Sequence, residues 1–498
     1  MLKEKVKSFE VSDDESVGDI VSRDRKSGGE DKLRVGLICS GWFEWWPMFP
    51  DGCLEKQIRE DADAFVSELG KRFGDRYEFV YPGMVDTLDI AFDAGEQLKE
   101  KCVDAVVIVE NTYLTDFIPI ETLDHLPDVP VIIFSTQAKN SLAPGMTNID
   151  VIRFEGLVGI AQLVGAFKKM GRGYKIVVGA LDDSESYRKL GNNFKVLDLK
   201  KKLKKIDIGL LGHTFRGMYD IEIDKTKVKG SIGPNVLYID VQHLLNIWQK
   251  LTDKEIDDYI EKLEKDIPVD RYIVTDEDRR KSVSLGIALE KLIRKFNLDA
   301  LTLLGQHHVE VATRASADFA FYTAEKIGCM TTHEGDIANL VMKKILNFLS
   351  DSLPVFLEWT AFDEPTNTLL LTHHGVVDPV HCADMKKCRW TPSPEKWDFT
   401  GNGFSIEYCS KPGKVTLASL INDCEGWKIL ISNGECVEME PRPCFAPQFY
   451  FRPEVKVTEY IKNILEEGVA HHVCLVYGDY REQLELLADY LKIKKVII

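Results

Sequence analysis

Eight of the 11 histidines lie beyond residue 306: His307, His308, His333, His373, His374, His381, His471 and His472. Six of these form three adjacent pairs, each at or near the end of an expected strand or helix. Carboxylates stand among them. Glu334 follows His333 in Thr-Thr-His-Glu-Gly-Asp, and Glu358 interrupts the largely apolar run Pro-Val-Phe-Leu-Glu-Trp-Thr. A carboxylate at the centre of such a strand needs a cation or hydrogen-bond donors if it is buried. The next expected strand ends at His373-His374, and a hairpin would bring Glu358 close to His374. Two carboxylates with imidazole nitrogens make a mixed oxygen–nitrogen set. That set suits Mn2+ and related divalent ions such as Co2+ or Mg2+ better than Ca2+, whose ligands are oxygens. A structural zinc site would more usually include cysteine, and none is near these motifs. Each residue alone has a plainer reading: Glu334 as a helix N-terminal acid, Glu358 in a surface ion pair, each histidine pair solvated or satisfied in a core.

Two further groups bear on chemistry. Trp42, Phe43, Trp45 and Trp46 put four aromatics into five residues, a large apolar patch if left in water. Core or subunit packing and stacking against a ligand are both open to them, so Trp42 is a candidate substrate contact. Gln306 and His307 are similarly placed to hydrogen-bond hydroxyls. The chain has no Gly-x-Gly-x-x-Gly, no Walker-type loop and no Gly-x-Ser-x-Gly elbow, which argues against nucleotide binding by those motifs and against that hydrolase design. Eleven scattered cysteines without a Cys-x-x-Cys pair argue against a zinc ribbon and for reduced thiols in an intracellular, cytoplasmic protein.

The elements that must position these groups are legible from periodicity. The 498 residues, 44% hydrophobic and 29% charged, suggest about three domains. A net charge of −17 (63 Lys+Arg against 80 Asp+Glu) argues against nucleic acid as a partner and fits a small neutral substrate. An acidic ligand would then need a local basic patch. No run is long and apolar enough to cross a bilayer, and no apolar stretch follows the first lysines as a secretory signal would. Residues 1–32 read as a polar N-terminal tail. Buried-strand runs alternate with helices over 33–172, then again over 173–352, which predicts two doubly wound, Rossmann-like α/β domains with parallel sheets. After Pro354 the pattern changes to strands joined by Pro and Gly turns, predicting a β-rich, barrel-like C-terminal domain over 353–498. In parallel sheets ligands sit beyond the carboxyl ends of strands, so the loops after Cys39, Phe134 and Gly305 are where sites are expected.

The order and spacing of Glu334-Gly335-Asp336-Ile337, Phe356-Leu357-Glu358, Leu369-Leu370-Leu371-Thr372-His373-His374 and Ala470-His471-His472 resemble the L-arabinose and L-fucose isomerase superfamily. Gly212-His213-Thr214-Phe215-Arg216-Gly217-Met218-Tyr219-Asp220, followed by Val241-Gln242-His243-Leu244, resembles its middle domain. The resemblance implies a Mn2+-dependent aldose–ketose isomerase with Glu334 and Glu358 as the acid–base pair. It implies metal ligation by Glu334, Glu358, His374 and His472, and a homo-oligomer, trimer or hexamer, whose sites are completed by a neighbour's N-terminal domain. A non-catalytic sugar-binding relative, or an epimerase or aldolase using the same site, are the alternatives. Three stretches depart from the arabinose pattern: Ser40-Gly41-Trp42-Phe43-Glu44-Trp45-Trp46, Phe134-Ser135-Thr136-Gln137 and Gly305-Gln306-His307-His308. They fall where sugar contacts are expected and leave the sugar open.

Overall fold

The computed structural model describes residues 32–49, 52–266, 274–374, 378–395, 401–444 and 446–498. The side chains of residues 265, 266, 306 and 307 lie outside the description, as does the expected tail apart from Lys32. The described chain forms two compact units, one within Gly28–Lys201 and the other within Lys202–Ile498.

The first unit is built on a parallel sheet of β1 (Leu33–Ser40), β2 (Tyr77–Val80), β3 (Met84–Val85), β4 (Ala105–Glu110), β5 (Val131–Ser135) and β6 (Lys175–Val178). The order is β2-β1-β4-β5-β6, with β3 on the end of β1. β4 is buried along its whole length, as expected for a strand covered on both faces. The helix Cys53–Phe73 buries Leu54, Ile58, Ala62, Phe65, Leu69 and Phe73, one stripe at helical spacing. β6 pairs with β5, so this sheet runs past the boundary expected at 172–173, and the unit closes with the helix Ser184–Leu203. At the carboxyl end of β4 the Glu110 side chain is 1% exposed, and neither of its carboxyl oxygens has a hydrogen-bond partner. Burial, reinforced by Asp116, pushes this carboxyl well above the usual range.

The second unit carries two larger sheets. Strands β7 (Asp207–Leu211), β8 (Asn235–Ile239), β9 (Ala300–Leu303) and β10 (Met330–His333) form a parallel sheet in the order β10-β9-β7-β8. The helix Asp276–Phe296 is capped by Thr275, whose hydroxyl accepts from Asp278 N at 3.1 Å. Strands β11 (Val355–Asp363) and β12 (Thr368–Thr372) begin the β-rich part. A two-stranded piece follows, β13 (Arg389–Pro392) with β14 (Phe404–Glu407). Next come β15 (Gly413–Asp423), β16 (Gly426–Cys436), β17 (Phe449–Pro453), β18 (His472–Tyr477) and β19 (Lys494–Ile497). The large sheet runs β15-β18-β11-β12-β17-β16-β19, and β15 also pairs with β16. Leu357, Leu371, Leu417, Phe449, Phe451, Val473 and Leu475 give it one shared core with Phe319, Trp390 and Phe404. The α/β class and the β-rich C-terminal sheet are therefore as the sequence predicts.

Candidate metal centre

β10 ends at His333, and the chain turns through two consecutive left-handed residues, Glu334 (φ 63°) and Gly335 (φ 80°). A β-carbon at 335 would lie 2.5 Å from Thr214 Cα, so only glycine fits. Phe215 N–H donates to the Glu334 carbonyl at 2.8 Å, which seats the 212–220 segment on this turn. Asp336 then caps the helix Ile337–Leu349, accepting from Asn339 N at 2.9 Å. The helix-terminal role thus falls to Asp336, and the Glu334 carboxylate stands among histidines.

Strand register supplies the rest. Glu358 on β11 lies opposite Thr372 on β12 and opposite His472 on β18. Residues directly opposite in antiparallel strands share a face. Just beyond Glu358 the β11–β12 pairing slips between Trp359 and Ala361, a bulge where the strand leaves the core. His472 is fully buried, and its Nδ1–H donates to Asp336 Oδ2 at 3.0 Å. Its Nε2 lies 3.4 Å from Glu334 Oε2 and 3.2 Å from His373 Nε2. His373 in turn donates Nδ1–H to the His374 carbonyl. With both Nδ1–H groups engaged, the two Nε2 atoms converge beside a carboxylate. His471 Nδ1–H donates to Asp220 Oδ2 at 2.5 Å, and its Nε2 lies 3.8 Å from Glu334 Oε2. Glu334 Oε2 and His471 Nε2 are buried without a well-aligned hydrogen bond.

The electrostatics favour a positive charge at this spot. Burial acts to raise Glu334, yet the imidazoles of His471 and His472 outweigh it and hold the carboxyl below its ordinary range. Burial acts to lower His472, but Asp336 and Glu334 overcome it and hold the imidazole up at about 9. Glu358 is raised by burial, and His373 is pushed well below its ordinary range, chiefly by burial. Glu334, His373 and His472 offer ligand atoms within 4.8 Å of one another, as do Glu358, His471 and His472. The donor set therefore fits a divalent cation bound by oxygen and nitrogen. The Asp336–His472 bond has the form of the outer-shell carboxylate contact that fixes the tautomer of a histidine beside a metal.

The structure brings together Glu334, Glu358 and His472 of the residues expected from sequence. It places His373 in the convergent cluster, while His374 Nδ1 faces the fully buried Asp318 at 3.9 Å. His373, Asp336 and Asp220 all lie within the motifs given above, but their spacing assigns none of them a role. Gln306 and His307 lie on the turn Gly305–Val309 after β9, with side chains outside the description. Trp42 belongs to the first unit, where its ring meets Trp45 and Tyr113 edge-on at 5.7 and 5.2 Å and packs on the core.

No family model matches the chain. Curated relatives do. A sulfoquinovose isomerase of Priestia aryabhattai is 21% identical over 80% of this chain and 86% of its own. One of Alkalicoccus urumqiensis is 22% identical over 62% and 69%. An L-arabinose isomerase of Aeromonas hydrophila is 23% identical over 89% and 90%. At this low identity, over most of the chain, these relatives support the arabinose/fucose isomerase superfamily. Each of these relatives is named as a sugar isomerase.

Proposed function

We propose that this chain interconverts an aldose and its ketose at a divalent-cation centre, Mn2+ by preference, held by Glu334, Glu358, His373 and His472. The observation that carries the reading is the pair of buried imidazole Nε2 atoms 3.2 Å apart beside Glu334. Relatives named for sulfoquinovose and L-arabinose isomerisation support the reaction class. His373 replaces His374 in the ligand set because its ring, not its neighbour's, faces His472.

Aldose–ketose exchange moves one proton between C2 and C1 and another between O1 and O2. A bound divalent ion supplies polarisation of the sugar carbonyl and stabilisation of the developing negative charge. The chain's own residues handle the protons. Before a cation binds, Glu334 is held as a carboxylate by its histidines, whereas burial biases Glu358 toward holding a proton that it gives up on ligation. Two carboxyls set apart in this way suit an acid–base pair. Asp336 holds His472 in one tautomer, and Asp220 does the same for His471. Oligomerisation as a trimer or hexamer, with a neighbour's N-terminal unit closing each site, is part of the same proposal.

Glu334→Gln and Glu358→Gln are expected to keep the fold and to lose roughly 10²–10⁴-fold in kcat with Mn2+ present. The measurement is sugar interconversion over aldopentoses, 6-deoxyhexoses and acidic hexoses. Full activity of the double variant would overturn the reading. Inversion or carbon–carbon cleavage without aldose–ketose exchange would replace it with an epimerase or aldolase.

A further inference from the structure

The segment Gly212–Asp220 is tied to the metal centre at two points. Phe215 N donates to the Glu334 carbonyl at 2.8 Å, and Asp220 Oδ2 accepts from both His471 N at 3.2 Å and His471 Nδ1. Arg216 lies between the two ties. It is exposed, and among the described residues it has no carboxylate partner. In a chain of net charge −17, with four carboxylates (Asp220, Glu334, Asp336, Glu358) in or beside the adjoining centre, an arginine left without a partner is notable. Arg216 lines a cavity of about 1040 Å³ across the carboxyl ends of β7, β8 and β9, together with His213, Tyr238, Gln242 and His308. That size lies at the upper end of ligand clefts, roughly 300–1,000 Å³. A second cation, Lys225, holds its Nζ 4.1 Å from the centroid of the Tyr238 ring that lines the cavity, and among the described residues it has no carboxylate partner. The cavity's own carboxylate, Asp240, is committed to the backbone: it caps the helix Val241–Trp248, accepting from Gln242 N at 3.0 Å.

A cleft so built has its cations free for a ligand and its acid turned to a structural task. Guanidinium groups bind tetrahedral oxyanions through two parallel N–H donors, which gives orientation as well as affinity. Consecutive α-carbons are about 3.8 Å apart, so Arg216 starts one residue from the atom that touches Glu334's backbone. His213 and Arg216 line the cavity, and Thr214 between them meets Gly335, so the cavity adjoins the turn that carries Glu334.

We propose that this cavity receives the far end of the sugar and that Arg216 binds a tetrahedral oxyanion there, a sulfonate or a phosphate ester. The substrate is then an acidic monosaccharide rather than a neutral one. This rests on the isomerase reading given above. The local basic patch resolves the conflict between an acidic chain and an acidic substrate.

The test uses the full chain loaded with Mn2+. Its three arms are a 6-deoxy-6-sulfo-aldohexose, an aldohexose 6-phosphate and the neutral aldohexose. The wild type is expected to turn over one acidic arm with kcat/KM at least tenfold above the neutral arm. Arg216→Gln should lower that kcat/KM roughly 10- to 100-fold, mostly through KM, and Arg216→Lys should recover part of it. The preferred acidic arm identifies sulfonate or phosphate. Equal turnover of neutral and acidic arms, or an unaltered KM in Arg216→Gln, overturns the anion site and leaves the isomerase reading intact. If no arm is interconverted, the isomerase reading fails, and calorimetric binding of the acidic sugars decides the site alone. Binding that weakens tenfold or more in Arg216→Gln supports it, and binding that is absent or unchanged overturns it.

Discussion

His373 and His374 are adjacent, yet the structure sends them to different carboxylates. His373 faces His472 and the metal centre, while His374 faces Asp318. His373→Ala is accordingly expected to weaken Mn2+ binding in calorimetry by 10-fold or more, on the scale of losing a coordinating or supporting group. His374→Ala should cost less affinity, and the reverse order would restore His374 to the ligand set. Glu334, Glu358 and His472 were legible because the sequence spaces them as a known family does. His373 was not, for a physical reason. Side chains alternate along a strand, and that parity lapses where β12 ends at Thr372 and the backbone turns. Asp336 was equally hidden, since a residue that caps a helix and orients a histidine shows both roles only once two distant segments meet.

Among the elements, the turn at Glu334-Gly335 and the 212–220 segment form one fitted joint. Gly335→Ala puts a β-carbon against Thr214 and places a non-glycine residue at φ 80°. The expected result is a loss of at least about 1–2 kcal/mol of stability, the usual cost of left-handed backbone for a residue with a β-carbon. Weakened Mn2+ binding should accompany it. Calorimetry and thermal unfolding check both, and a fully stable Gly335→Ala protein would contradict the fit. Element identity was largely legible where apolar runs were long, as at β1, β4, β5 and β11. β10 escaped notice because Met-Thr-Thr-His is short and half polar, though fully buried. β6 was read as opening the second domain because it follows the glycine break at Gly171. Only its pairing with β5, which no local pattern encodes, assigns it to the first sheet.

At the scale of the whole molecule, the two units each hold a buried acid under stress, and each bears on stability differently. In the first unit, Glu110 is raised by burial, so the fold prefers its protonated form. Its contribution is complete below the unfolded carboxyl value of about 4.3 and is lost as pH rises through the folded value. Glu110→Gln mimics the protonated state. Hydrogen exchange at β4 should show the variant gaining protection over the wild type between pH 5 and pH 8, and a constant difference across that range would refute the assignment. In the second unit, Glu334 keeps a left-handed backbone that a glycine would adopt without cost. The backbone alone favours a glycine at this position, whereas the histidines favour the carboxylate. Glu334→Gly relieves about 1 kcal/mol of backbone cost but removes the carboxylate that His471 and His472 hold ionised, so without added metal its unfolding free energy is expected to rise by less than that relief, or to fall, while it is inactive. Glu334→Gln, which keeps its β-carbon, should show no such relief. The least strained backbone at this turn is thus one that has lost its chemistry.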